Sequence, residues 1–179
     1  EIRKTDSDYL AVSTVTIGGT AGIRLVRATG GSSVIDARTV TGLALGSWYH
    51  VVVTQDGSAV KIYINGSQAA LTGTNGTGWT SHLAGTDAAG YPTSGTLKIG
   101  DGIYGPFYGG LDEVRVYNRA LSSAEVSQHY AGIFSNNTGL VLYLSMNEDI
   151  SKDGAAELAA EHLNRDYIRS SLWHKQYAL

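Results

Sequence analysis

The stretch WYHVVVTQDGSAVKIYING, residues 48–66, decides the fold. In an extended chain Val51 and Val53 fall on one side and His50, Val52 and Thr54 on the other, because successive side chains of a strand point to opposite faces. Asp56-Gly57 interrupts the run where a reversal needs positive φ, which glycine adopts at no steric cost. The returning segment sets Val60, Ile62 and Ile64 on one face, with Lys61 and Tyr63 on the other. Asn65-Gly66 marks a second reversal before Gln68-Ala69-Ala70-Leu71. Such a hairpin has an apolar face that another layer must cover.

Working outward, residues 9–15, 21–27 and 33–38 read as short strands separated by Gly and Thr, and Thr96–Gly100 and residues 109–118 read as two more. Residues 72–95 form a Gly/Thr/Ser loop carrying Trp79 and Tyr91. Ser122-Ser123-Ala124-Glu125 is a capping box, in which a hydroxyl and a carboxylate satisfy each other's orphan amides. It predicts a helix over 123–130, ended by Gly132. GLVLYLSM, residues 139–146, predicts a strand with Leu140, Leu142, Leu144 and Met146 on one face. The pattern then changes. Ala156, Ala160, Leu163, Tyr167 and Ile168 recur near helical spacing, so residues 153–179 are expected to form a helix, or a helix with a loose end.

The composition agrees with a β-rich domain. The chain has 179 residues, 23 of them Gly and 2 Pro, and is 42% hydrophobic. That length supports one sizeable core. A net charge of −3 with 16% charged residues leaves no basic stripe for nucleic acid. No apolar run approaches the roughly 20 residues that span a bilayer. With no Cys, thiolate metal sites and disulfides are excluded. No signal peptide is read, and a chain without an initiating Met is compatible with a leader already removed.

GSWYHVVVTQDGSAVKIYINGSQ (46–68), followed by LKIGDG (97–102) and FYGGLDEVRVYNRALSSAEVSQHY (107–130), resembles the LamG-like jelly-roll family of the concanavalin A-like lectin/glucanase superfamily. The resemblance covers about residues 4–134. It implies an all-β fold: a two-sheet antiparallel jelly-roll sandwich with one short helix, here followed by a C-terminal helical tail. It also implies an extracellular or cell-surface recognition or adhesion module, with a structural calcium in some members. In this family a strand like GLVLYL opens the domain, whereas here it follows the last helix. Three segments are therefore expected: a sandwich over 1–134, an extra strand over 135–150 resembling the start of a second repeat, and a helical tail over 151–179. A sandwich short of strands has open edges. The missing ribbon is expected from Leu140–Met146, either folded back or exchanged with another copy of the chain, or else from a companion chain.

GGLDEVRVYN (109–118) raises the question of metal, because strict alternation puts Asp112 on the face of Val114 and Val116. A buried carboxylate must be paired, hydrogen-bonded or metal-bound. One reading is calcium, which takes six to eight oxygens. In relatives the partner ligands come from the opening segment, which maps onto Asn147 and Asp149. The other reading is a bulge at Gly109-Gly110 that shifts the parity, with Asp112 accepting backbone amides. Asp6, Asp8 and Asp101 sit in turn-like stretches where such residues bond local amides. Trp79, Tyr91, Tyr104, Phe107 and Tyr108 lie in or beside loops, where aromatics either stack on sugars or cap the sandwich. Trp48 and Tyr49 are expected to pack.

Catalysis is not expected. Asp112 and Glu113 are adjacent, so in a regular strand they point apart and cannot flank one glycosidic bond. The five His residues show no metal-ligand spacing, and no G-x-S-x-G elbow occurs. Three N-x-[ST] sequons, at Asn65, Asn75 and Asn136, argue only weakly for glycosylation in so Gly/Asn/Thr-rich a chain. The charges of the 151–179 tail balance, unlike those of a membrane-surface helix. The expectation is a non-enzymatic extracellular sandwich used in assembly or adhesion. The alternative is a carbohydrate- or surface-binding accessory module.

Overall fold

The computed structural model describes residues 2–5, 8–29, 32–56, 59–74, 96–146 and 174–178. One sheet is built from β1 (Ile2–Thr5), β2 (Asp8–Ile17), β3 (Thr20–Thr29), β4 (Ser32–Thr39), β8 (Leu71–Thr74) and β9 (Thr96–Leu97), in the order β8-β4-β3-β2-β1-β9. The second contains β5 (Trp48–Gln55), β6 (Val60–Ile64), β7 (Ser67–Gln68), β10 (Gly110–Asp112) and β13 (His174–Ala178), in the order β10-β13-β5-β6-β7. β11 (Val114–Tyr117) and β12 (Leu140–Leu144) form a two-stranded ribbon, and α1 (Ser123–Tyr130) is the helix of the described residues. All the strand pairings among them are antiparallel.

The hairpin pairs in the register its alternation demands, with Val51 opposite Ile64 and Val53 opposite Ile62. The reversal at Asn65 (φ +50°) and Gly66 (φ +79°) uses the left-handed conformations that this residue pair tolerates. Val51, Val60 and Ile62 meet Leu10, Ile23, Leu25, Ile35, Ala37 and Leu43 of the opposing sheet, and this is the main core. The chain passes between sheets at Ala69-Ala70. Ala69 N donates to Ile62 O of one sheet, and Ala70 O accepts from Val40 N beside the other. At Gly73 (φ +96°) a Cβ would overlap the Asp36 carbonyl, so glycine lets β8 lie against β4.

The other face of the β5–β6 hairpin is covered too. Val52 and Tyr63 pack with Tyr117, Leu121 and Val126 in a second core, on which Leu140 rests. The capping box forms as expected. Glu125 N donates to Ser122 Oγ, Ser122 N donates to Glu125 Oε2, and Gly132 follows the helix at φ +77°. Glu125 is more than a cap. Arg119 Nη2 (2.6 Å), Arg119 Nη1 (3.0 Å) and Asn136 Nδ2 (2.9 Å) also donate to it. The bonds from Arg119, and then from Ser122, hold its carboxyl down to about 2.

Three expectations change. Residues 174–178 are a strand and not the end of a helix, because the gap between β5 and β10 offers main-chain partners on both edges, which outweigh local helical spacing. The rest of the expected helix lies outside the described residues. Tyr49 packs on the main core, but Trp48 is 52% exposed, standing at the strand's first residue beside the exposed Leu45. Strand 96–100 is shorter than read, only Thr96–Leu97 pairing with β1.

Candidate functional site

The outer face of the six-stranded sheet is where the loop residues gather. Register places Ser13, Arg24 and Arg38 in one row across β2, β3 and β4, and Ala11, Val26 and Asp36 in the next. Asp36 accepts from Arg24 through Nε (2.8 Å) and Nη2 (2.9 Å), and from Arg38 through Nε (2.9 Å) and Nη2 (2.5 Å). Two guanidinium groups fork onto one carboxylate, so the trio carries one net positive charge. The hydrogen bonds from Arg38 and then Arg24 hold the Asp36 carboxyl far below the usual carboxylate range. Arg38 remains 42% exposed, so the charge meets solvent.

The loop after β9 lays aromatics beside this trio. It is tied internally, with Phe107 N donating to Gly100 O (2.7 Å) and Gly102 N to Asp101 Oδ1 (2.8 Å). Phe107 is half-buried against the main core and so anchors the loop. The Arg24 guanidinium lies 5.1 Å from the centre of the Tyr104 ring, within cation–π range. Tyr9 meets Tyr104 edge to face at 6.4 Å, and their hydroxyls are 3.1 Å apart. Tyr104 is 49% exposed and Tyr108 86%. Between loop and sheet lies a shallow cleft of about 90 Å³, lined by Ala11, Ser13, Lys98, Asp101, Tyr104 and Phe107 among others.

Asp112 has another role. Its Oδ1 accepts from Glu113 N (2.8 Å), and Glu113 has φ +52°. The irregularity expected at Gly109-Gly110 lies instead at Glu113, and it splits the strand into β10 and β11. Leu111 packs in the main core and Tyr117 in the second, although strict alternation gives them one parity. Among the described residues no group of three or more His, Asp or Glu side chains is placed to hold a metal ion. Asp112 thus accepts a backbone amide at a kink, and Asn147 and Asp149, the other residues of the calcium reading, lie outside the described residues.

Beyond the kink a cluster forms around a buried arginine. Arg115, which alternation sets on the face opposite Val114 and Val116, is 6% exposed. Its guanidinium lies 3.5 Å from the Phe134 ring centre and 4.3 Å from that of Tyr143, and it donates to Glu113 Oε2 (2.7 Å). The Tyr143 hydroxyl donates to Glu113 Oε1 (2.7 Å). Beneath it, burial pushes His129 down to about 4, helped by Arg115. Burial likewise pushes His50 down to about 4, with His129 adding to the effect.

Of the predicted site residues, the structure brings Tyr104, Tyr108 and Phe107 to one loop. Leu140, Leu142 and Leu144 are half-buried in β12, which pairs with β11 of the same chain, and Met146 beyond it is 45% exposed. Trp79, Tyr91, Asn147 and Asp149 lie outside the described residues, as does Asp6. The Arg24–Asp36–Arg38 trio was missed. Its signal was opposite charges at alternate positions, Asp36 and Arg38, within an otherwise apolar strand pattern.

Two antiparallel sheets packed face to face define a β-sandwich. Residues 5–127 match the laminin G family 3 of the Concanavalin A-like lectin/glucanases superfamily, and the chain belongs to that family. No curated protein and no solved structure matches the chain.

Proposed function

We propose that this chain is a non-catalytic recognition module of an extracellular or cell-surface protein, and that it adheres to carbohydrate through the Tyr104 cleft. The observation that carries the reading is the placement of Tyr104 over the Arg24–Asp36–Arg38 trio. A sugar offers a face of polarised C–H groups, which suits an exposed aromatic ring, and a rim of hydroxyls, which suits guanidinium and carboxylate. Asp112 and Glu113 are engaged in structural contacts, which supports a site without acid–base chemistry. The test is calorimetric titration with soluble polysaccharides. Tyr104→Ala is expected to weaken binding at least tenfold while the melting temperature stays within a few degrees. Unchanged binding in a Tyr104→Ala/Tyr108→Ala double variant would overturn the proposal.

A second reading is assembly by exchange of residues 139–146. It is favoured by β12 having a single strand neighbour among the described residues. An exposed edge of this kind can pair with another chain. Sizing by light scattering tests it. Dimers or fibres that vanish in a Leu142→Pro variant support exchange, and a concentration-independent monomer rules it out.

A further inference from the structure

β13 is unlike the other strands of its sheet. It begins at His174, whereas the family match ends at residue 127. Yet it holds an interior position, paired over His174–Ala178 with β5 and over Gln176–Ala178 with β10. Both pairings are antiparallel, so β5 and β10 run parallel to each other. With β13 between them they stand about 9–10 Å apart, twice the ordinary strand spacing. Without it, Trp48–Val52 of β5 would have one edge unpaired. Val51 is 2% exposed and Val52 0%, so an open edge here would expose the most enclosed strand of the hairpin.

The slot demands main chain more than side chains. The sequence filling it is His-Lys-Gln-Tyr-Ala, in which Tyr177 is the one residue of high β propensity. The neighbours supply the apolar content: Val51, Val52 and Tyr49 along β5, and Leu111 in β10. Affinity from ladder hydrogen bonds with weak side-chain selectivity is the mark of recognition by strand addition.

We infer that the groove between β5 and β10 is a strand-docking site for an extended peptide that runs antiparallel to both walls. Its resident is the chain's own C-terminal segment, His174–Ala178. The same segment supplied separately replaces it. The inference uses neither the Tyr104 cleft nor the exchange of residues 139–146.

The chain has no cysteine, so paired substitutions report cleanly. Trp48→Cys with Ala178→Cys joins register partners of β5 and β13. Oxidation of this full-length variant should give a cross-linked monomer, and Val40→Cys with Ala178→Cys should give none. Covalent dimers, or no cross-link, would overturn the assignment of the resident. Replaceability is read with a labelled peptide of residues 172–179. Tyr177→Pro in the full-length chain removes a ladder donor and should empty the groove. That variant should bind the peptide at least tenfold more tightly than the unaltered chain does, and a peptide carrying the same proline should not bind. If the variant loses its fold, refolding with the peptide should restore its β circular dichroism. Equal binding to variant and unaltered chain, no binding to either, or no recovery on refolding would overturn the inference.

Discussion

The two outer faces of the sandwich use the same parts to opposite ends. On the six-stranded sheet, Arg24 and Arg38 hold Asp36 beneath Tyr104, and Arg38 and Tyr104 stay open to solvent. On the five-stranded side, Arg115 holds Glu113 between Tyr143 and Phe134, and this arginine is buried. The difference is the cover. α1 and the β11–β12 ribbon close one face, whereas the loop after β9 only borders the other. A buried arginine locks its carboxylate in place, whereas an exposed one remains available to a ligand, since screening weakens its pair.

Truncating the buried arginine should separate the faces most. Arg115→Ala leaves Glu113 and two rings without their shared partner, and about 4 kcal/mol of unfolding free energy should be lost in urea titrations. A loss below about 1 kcal/mol would erase the contrast. Acid comes next, and it should act on the covered face. His50 and His129 are held down to about 4 when folded, against 6.5 in the unfolded chain. Between those values only the unfolded chain takes up the protons, so stability should fall as pH drops from 6.5 to 4, by about 3 kcal/mol for each histidine. A stability curve flat across that window would break the assignment, and a His50→Gln/His129→Gln variant should lose most of the slope. Asp36 stays charged when folded, so the open face should contribute only near the low end of the window, where the unfolded carboxyl starts to take up protons.

Glu125 sharpens the comparison at smaller scale. Glu125→Gln weakens the bonds from Arg119 and disturbs the helix cap, and about 1–2 kcal/mol should be lost by thermal unfolding at pH 7. The same substitution should matter less as pH falls from 4.5 toward 2, where the native carboxylate itself becomes protonated. Arg38→Ala on the open face should have the smallest effect on stability, no more than about 0.5 kcal/mol, while the affinity for carbohydrate drops.

What could be read from residues alone follows the same division. The hairpin faces, the Asn65-Gly66 reversal and the Ser122–Glu125 box are local patterns, and each formed as read. The two strand groups rest on contacts between residues far apart in sequence. Arg24 and Asp36 meet only because β3 and β4 pair in that register. Arg115 looks solvent-facing by alternation, and nothing beside it announces the left-handed turn at Glu113. His174–Ala178 looked helical because spacing is a property of the segment, whereas the groove that makes it a strand belongs to β5 and β10.

That turn at Glu113 resets the phase of the strand. Leu111 and Tyr117 feed different cores, with the φ +52° residue and a register shift at Val116/Tyr117 between them. Losing or gaining a single residue between Asp112 and Val114 should therefore be far more damaging than any replacement there, since it would turn Val114 and Tyr117 the wrong way together. Glycine at 113 would keep the phase, and its cost would be the carboxylate that Arg115 and Tyr143 share.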